Sequence, residues 1–204
     1  MTTSDSMPGK VIIRKPAGPD ALHLRAGLPA EFRYLEAQCA RADWPRMRLH
    51  PSATHWLQIH AWFRHKFQDI YDLGGAWRGD KMPAPTYRAQ VMPRLQELLN
   101  HLHGHHGIES HSYFPAMAAM EPQMKKGFEL LDRDHEAIDA LMNAMVQKAI
   151  ALNQAADAKL DLKAPVAALV AELERGGGLI TRHLDDEEEI VVPVFTLRGD
   201  PFGH

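Results

Sequence analysis

A chain of 204 residues with a single cysteine, Cys39, lacks the thiolates for several classes of site. An internal disulfide framework, a cysteine-rich zinc site and a protein-ligated iron–sulfur cluster are all excluded, because each needs at least two. No apolar run approaches the roughly 18 residues of a membrane span, so no membrane partner is expected. The stretch from Met1 to Lys15 lacks the long apolar region of a secretory leader, which makes a reducing, cytoplasmic setting the expectation. A surplus of positive charge is missing too. Lys and Arg number 23 against 26 Asp and Glu, a formal net charge of −3. A nucleic-acid partner, which calls for a basic patch to neutralise phosphates, is therefore not expected. Period-two alternation of useful length is also absent, which argues against strands. What the chain has in excess is histidine, 13 in all.

The first 52 residues carry Pro8, Pro16, Pro19, Pro29, Pro45 and Pro51. They read as an extended arm, partly irregular, with at most one short helix around Ala30 to Ala42. Residues 53–204 turn helical. Breaks at Gly74-Gly75, Pro83-Ala84-Pro85, Glu121-Pro122 and Asp161 to Pro165 divide them into four segments, about 53–73, 86–118, 122–154 and 165–192. Each carries one apolar stripe at spacings of three and four, the mark of an amphipathic helix. The stripes are Trp56, His60, Phe63, Phe67 and Ile70; then Leu95, Leu98, Leu102, His105 and Glu109; then Phe128, Leu131, His135, Ile138, Met142 and Met145; then Leu169, Leu173, Gly176, Ile180, His183, Glu187, Ile190 and Val194. Four such helices with short connections predict an all-α fold, an antiparallel up-down-up-down four-helix bundle preceded by the arm. Pro93 in the second segment and Gly176-Gly177-Gly178 in the fourth predict local irregularity, each glycine costing about 1 kcal/mol against alanine in a helix.

Every stripe contains one histidine, and two contain a glutamate four residues later, His105–Glu109 and His183–Glu187. That spacing puts both side chains on one helix face. Two carboxylates lodged unpaired among Leu, Ile and Phe would cost several kcal/mol each. A metal centre removes the penalty, and imidazole with carboxylate suits iron, manganese or zinc. The placements also repeat. His105-x3-Glu109-x5-Pro115 has the same offsets as His183-x3-Glu187-x5-Pro193, with His60 and His135 each leading one unit. Two helical hairpins would thus bring four imidazoles and two carboxylates to one point. That is more than one tetrahedral zinc needs, and it suits two metals bridged by the glutamates. A lone histidine on an apolar stripe is more often a satisfied core residue, and a lone His-x3-Glu is often a surface pair. The coincidence of all four carries the metal reading.

His106, a little over a quarter-turn from His105, and His101, one turn before it, are candidate extra or supporting groups. His65 shares its face with Gln58 and Asp69 and is expected at solvent. His55 reads as a cap or surface group. The run Asp185-Asp186-Glu187-Glu188-Glu189 is expected to be mostly a solvated face, with Glu187 alone in register. His135-Glu136-Ala137-Ile138-Asp139 fails as a zinc-protease motif, because Asp139 stands where the second histidine belongs. No Glu-x-x-His occurs, so the ferritin-like di-iron pattern is absent.

The chain resembles the hemerythrin family in its broad HHE cation-binding branch. The likeness lies in Ile59-His60-Ala61-Trp62-Phe63-Arg64, in His105-His106-Gly107-Ile108-Glu109 running to Phe114-Pro115, in Asp134-His135, and in His183-Leu184-Asp185-Asp186-Glu187-Glu188 running to Val192-Pro193. It covers roughly residues 53–196. The resemblance implies a four-helix bundle around two non-haem iron ions, a di-iron centre. By that likeness His60 and His105 hold one iron, His135 and His183 the other, and Glu109 and Glu187 bridge. One departure stands out. Oxygen carriers of the family place two histidines one turn apart on the third helix, whereas here Leu131 and Asp139 flank His135. One iron then loses a nitrogen ligand or takes Asp139, His106, Tyr113 or water. The resemblance implies a protein that binds dioxygen or a related small diatomic, for storage or sensing. The alternative is a di-iron enzyme that decomposes peroxide or reduces nitric oxide. A bis-histidine haem bundle would leave both glutamates unexplained. The family's iron–sulfur repair role is disfavoured by the lack of an N-terminal cysteine pair.

Overall fold

The computed structural model describes residues 21–203. Among these every regular element is helical. Short 3-10 turns at Ala30–Phe32, Tyr34–Ala37 and Arg41–Arg46 precede α1 (Pro51–Arg78). Then come α2 (Ala84–Ile108), a π-turn (Glu109–Tyr113), α3 (Phe114–Met120), a 3-10 turn (Pro122–Met124), α4 (Lys125–Asp157) and α5 (Lys163–Arg198). Helical dihedrals persist through the π-turn, so α2 and α3 form one rod. Four rods joined by short turns pack as the expected antiparallel bundle.

Each rod ends a few residues beyond its sequence-predicted span, and α4 begins three residues after its predicted start, at Lys125. Pro51 opens α1 at a position where its missing N–H is not needed, and the His50 ring accepts from the Ser52 N–H at 3.2 Å. α1 and α4 close with paired backbone bonds around a residue in the left-handed region, Asp80 and Lys159, each at φ 56°. Lys81 and Leu160 donate five residues back, to Ala76 and Ala155.

Three expectations about breaks are corrected. Gly74-Gly75 does not stop α1. Gly74 is buried against α5, where an added Cβ would lie 3.2 Å from Val170 Cγ1. Pro93 interrupts nothing visible, since α2 runs through it. The irregularity falls instead at 109–113, where the Phe114 N–H donates to the Glu109 carbonyl five residues back. Pro115, lacking an N–H, cannot close the α-turn onto His111, which favours the wider turn. Gly176 and Gly177 sit in an unbroken α5 because of close packing. An added Cβ would strike Met145 at the first, and Tyr71 Oη and Phe67 at the second.

The first twenty residues of the expected arm lie outside the described residues. The remainder forms three 3-10 turns in place of one short helix, and it packs onto the bundle. Leu28, Leu35, Cys39 and Trp44 are buried with Trp56, Phe114, Phe128, Ile190, Val194 and Phe195 in one apolar cluster. A second cluster, around Phe63, Phe67, Leu98, Leu102, Ile138, Leu169 and Leu184, fills the other half of the bundle. Between the two halves each rod contributes polar side chains.

The glycines yield a paired expectation. Gly177→Ala should destabilise by about 1–3 kcal/mol through overpacking against Phe67 and Tyr71. Gly178 has open space at its Cβ position, so Gly178→Ala should stabilise by up to about 1 kcal/mol. Thermal unfolding followed by circular dichroism should give Tm shifts of opposite sign.

Candidate metal centre

The stripe positions decide what meets in the middle. In α1, His60 lies between Trp56 of one apolar cluster and Phe63 of the other. In the second rod, His105, His106 and Glu109 lie between Leu102 and Phe114. His135 lies between Leu131 and Ile138 in α4, and His183 and Glu187 lie between Ile180 and Ile190 in α5. His60, His183, Glu109 and Glu187 have no exposed surface.

Two groups of donor atoms result, each with all its atoms within 4.8 Å of one another: His60, His105, Glu109 and Glu187; and His106, Glu109, His135 and His183. The six sequence candidates, His60, His105, Glu109, His135, His183 and Glu187, all fall in one group or the other. Both carboxylates reach across. Glu109 Oε1 is 2.7 Å from His105 Nε2, and its Oε2 is 3.4 Å from His135 Nε2. Glu187 Oε1 is 3.5 Å from His60 Nε2, and its Oε2 is 3.5 Å from His183 Nε2. His60 Nε2 and His105 Nε2 face each other at 3.1 Å. Two imidazole nitrogens held about 2.1 Å from one ion at a right angle would be about 3 Å apart.

The outer nitrogens are held as a metal site needs. His60 Nδ1 is 3.0 Å from Glu188 Oε1, His183 Nδ1 is 3.3 Å from Asp134 Oδ2, and His135 Nδ1 is 2.9 Å from Ser110 Oγ. A carboxylate at Nδ1 keeps the proton there and leaves the Nε2 lone pair pointing inward. Trp56 Nε1 donates to Glu187 Oε1 at 2.5 Å.

Most of the inner atoms are not satisfied by the protein. Ten buried side-chain polar atoms among the described residues lack a hydrogen-bond partner. Seven of them belong to Glu109, His106, His135, His183 and Glu187. An orphaned buried polar atom costs about 1–3 kcal/mol, and a bound cation would account for all of these but one nitrogen of His106, since a neutral imidazole offers a single lone pair. The donor types fit iron, manganese or zinc. Electrostatics point the same way. Burial pushes the Glu109 carboxyl well above the ordinary carboxylate range, and Glu187 pushes it further. Burial also disfavours charge on Glu187, but His60, His105 and His183 outweigh it and hold Glu187 low. Burial lowers His105 to about 4 and, with the charges of His135 and His183, holds His106 far below the usual range. His60 shows the opposite outcome. Burial lowers it, but Glu187 and Glu188 raise it to about 9.

Of the four groups offered by the sequence for the missing nitrogen on the third helix, His106 is the one in the cluster. It is buried, stacked on His135 at 4.2 Å and edge-on to His183 at 5.4 Å. Asp139 is about half exposed, 4.0 Å from His103 Nδ1. Tyr113 packs instead against Trp56, Phe195 and Phe202. The signal for His106 was its spacing of three from Glu109, which shares a helix face as well as four does. His101, offered as an extra or supporting group, lies outside the site and packs on the Trp62 ring at 4.9 Å, and His65 lies at solvent near Asp69 as expected. The expectation of a solvated Asp185–Glu189 face is corrected. Asp186 and Glu188 are buried along with Glu187, because the arm covers that side of α5.

A helical bundle with two buried His/Glu groups sharing a carboxylate is a cation-binding architecture. The family description of the Hemerythrin HHE cation binding domain matches residues 52–195, and the chain belongs to that family. No curated protein and no solved structure matches it significantly. Among the described residues no helix is long and apolar enough to cross a membrane.

His106→Ala should weaken metal retention at least tenfold, a loss on the scale of removing a supporting group or more. His65→Ala should leave it unchanged, and Asp139→His should add nothing. Metal content after dialysis, measured by elemental analysis, distinguishes these outcomes.

Proposed function

We propose that this protein holds two non-haem iron ions as a di-iron centre and uses it to bind dioxygen or a related small diatomic, in storage or sensing. The reading rests foremost on Glu109 and Glu187, each presenting one carboxylate oxygen toward each histidine group. His60 and His105 would hold one ion. His135 and His183, with His106, would hold the other. Iron held by such a set would supply redox chemistry and the capacity to bind a small ligand.

The two groups differ in a way that suits an exchangeable ligand. The α4 side has three imidazoles and the α1 side two. The α1 side also borders a cavity. A cavity of about 580 Å³ between α1 and α2 is lined by Ile59, Trp62, Phe63, Gly104, His105 and Ile108, together with His55, Gln58, Asn100 and His101. Its lining carries no Asp, Glu, Lys or Arg, so it favours a neutral molecule. His105 stands both on this wall and in the donor group. Trp56 and Ile138 are buried beside the histidines, and Trp56 fixes one Glu187 oxygen by its indole N–H.

The test is protein purified from iron-replete cells. Two irons per chain, with visible bands that appear on exposure of the reduced protein to dioxygen and reverse on its removal, would support the reading. Fewer than two metals would remove it, and steady consumption of peroxide or nitric oxide would move it to the enzymatic alternative.

Proton exchange supplies a second expectation. Glu187 and Glu188 raise His60 to about 9, and burial shifts Glu109 toward its neutral form, so both groups favour a proton that a bound cation must displace. Metal uptake at pH 7 should therefore release protons, and affinity should rise with pH until His60 is neutral. In the other direction, metal should be lost as pH falls below the ordinary histidine value of about 6.5. Calorimetric titrations with ferrous iron in buffers of different ionisation enthalpy measure the release; pH-independent uptake would contradict this account.

A further inference from the structure

We propose that the N-terminal arm is a working part of the metal centre: its Arg25 positions the carboxylate that orients His183, and its Arg41 supports, alongside Arg64, the one that orients His60. This rests on the reading that the two His/Glu groups hold metal. Arg25 is buried among the rods. Its Nη1 donates to Asp134 Oδ1 at 2.9 Å, its Nη2 also reaches Asp134 Oδ2, and its Nε donates to Asp186 Oδ2 at 2.8 Å. Asp134 in turn faces His183 Nδ1. Arg41 Nη1 donates to Glu188 Oε2 at 2.8 Å, and Glu188 faces His60 Nδ1. Each ion position thus has the same relay: an arginine from the arm, a carboxylate from the bundle, an imidazole. The arginines themselves are fixed. Arg41 lies over the Trp44 ring at 4.9 Å, and Leu28, Leu35, Cys39 and Trp44 anchor the arm in an apolar cluster.

The two relays are not equal. Glu188 has a second guanidinium from within the bundle, Arg64 Nη1 at 2.7 Å. Asp134 and Asp186 share Arg25 between them, and the side chains of all three are about 4% exposed. Arg182 Nε also lies 3.9 Å from Asp186 Oδ2, so without that fork the loss falls on Asp134, and the carboxylate behind His183 would be drawn away from it. Arg25 is the position where the arm matters most, and the ion held by His183 is the one that should feel it. A lysine there would keep the charge but not the planar fork that serves two carboxylates at once.

The test loads the full chain with ferrous iron anaerobically and follows release to a chromogenic chelator. Wild-type protein should give two irons, and Arg25→Met should accelerate release of one of them about tenfold or more, the usual scale for loss of an outer-shell partner. The other ion should leave at the wild-type rate. Arg25→Lys should restore part of the retention, and Arg41→Met should do little because Arg64 remains. Asp134→Asn, which keeps shape and removes charge, should reproduce the selective loss even where Arg25→Met does not fold. Unchanged release in the folded variants would overturn the proposal. So would equal acceleration of both ions in step with a fall in Tm, which would make Arg25 merely structural. Wild-type protein that takes up no iron fails differently: it removes the metal reading, and the arm's role with it.

Discussion

Two carboxylates at the centre of an apolar bundle set the terms for everything around them. Glu109 and Glu187 have no exposed surface, and their burial at full charge would cost several kcal/mol each without a compensating cation. The surrounding chemistry follows from that constraint. Four rods each supply an imidazole at the same level, the histidines turn their inner nitrogens toward the carboxylates, and the protein leaves most of those inner atoms without partners. A bundle built for stability alone would fill this layer with leucine. Here the layer separates two apolar clusters, so the packing of both halves holds its geometry.

A second tier of charge keeps the first in place. Asp134, Asp186 and Glu188 are themselves buried, and each is matched by a guanidinium. The result is an alternation from the inside outward: cation-binding lone pairs, imidazole, carboxylate, arginine. Alternation of sign lets many ionisable groups share a small volume, because each buried charge has an opposite neighbour. It also gives the arm a charge reason to pack against the bundle. The arm brings two of the arginines that complete this order, and the apolar side chains between them fasten it down.

The π-turn at Glu109–Tyr113 marks where the two sequence repeats part company. His105-x3-Glu109 and His183-x3-Glu187 have the same offsets, yet the second sits in uninterrupted α-helix and the first opens a wider turn. The second rod also carries an adjacent histidine that α5 lacks. The donor groups are consequently unequal, three imidazoles on one side and two on the other, and the two-imidazole side borders the cavity between α1 and α2.

Periodicity alone was enough to read four helices, their buried faces and the six His and Glu positions. Apolar spacing of three and four fixes which face of a helix must turn inward, whatever it meets there, and His60, His105, Glu109, His135, His183 and Glu187 lie on those faces. The role of His106 was half legible, in its spacing of three from Glu109, but choosing it over Asp139 or Tyr113 required knowing which rod stands beside which. The acidic run at 185–189 was misleading for the same reason. A string of carboxylates looks solvated until another segment covers it, and nothing local in residues 21–46 says that Arg25 and Arg41 will do so. Contacts such as Arg25 to Asp186, 161 positions apart in the chain, are made by packing, and only the tertiary structure could decide them.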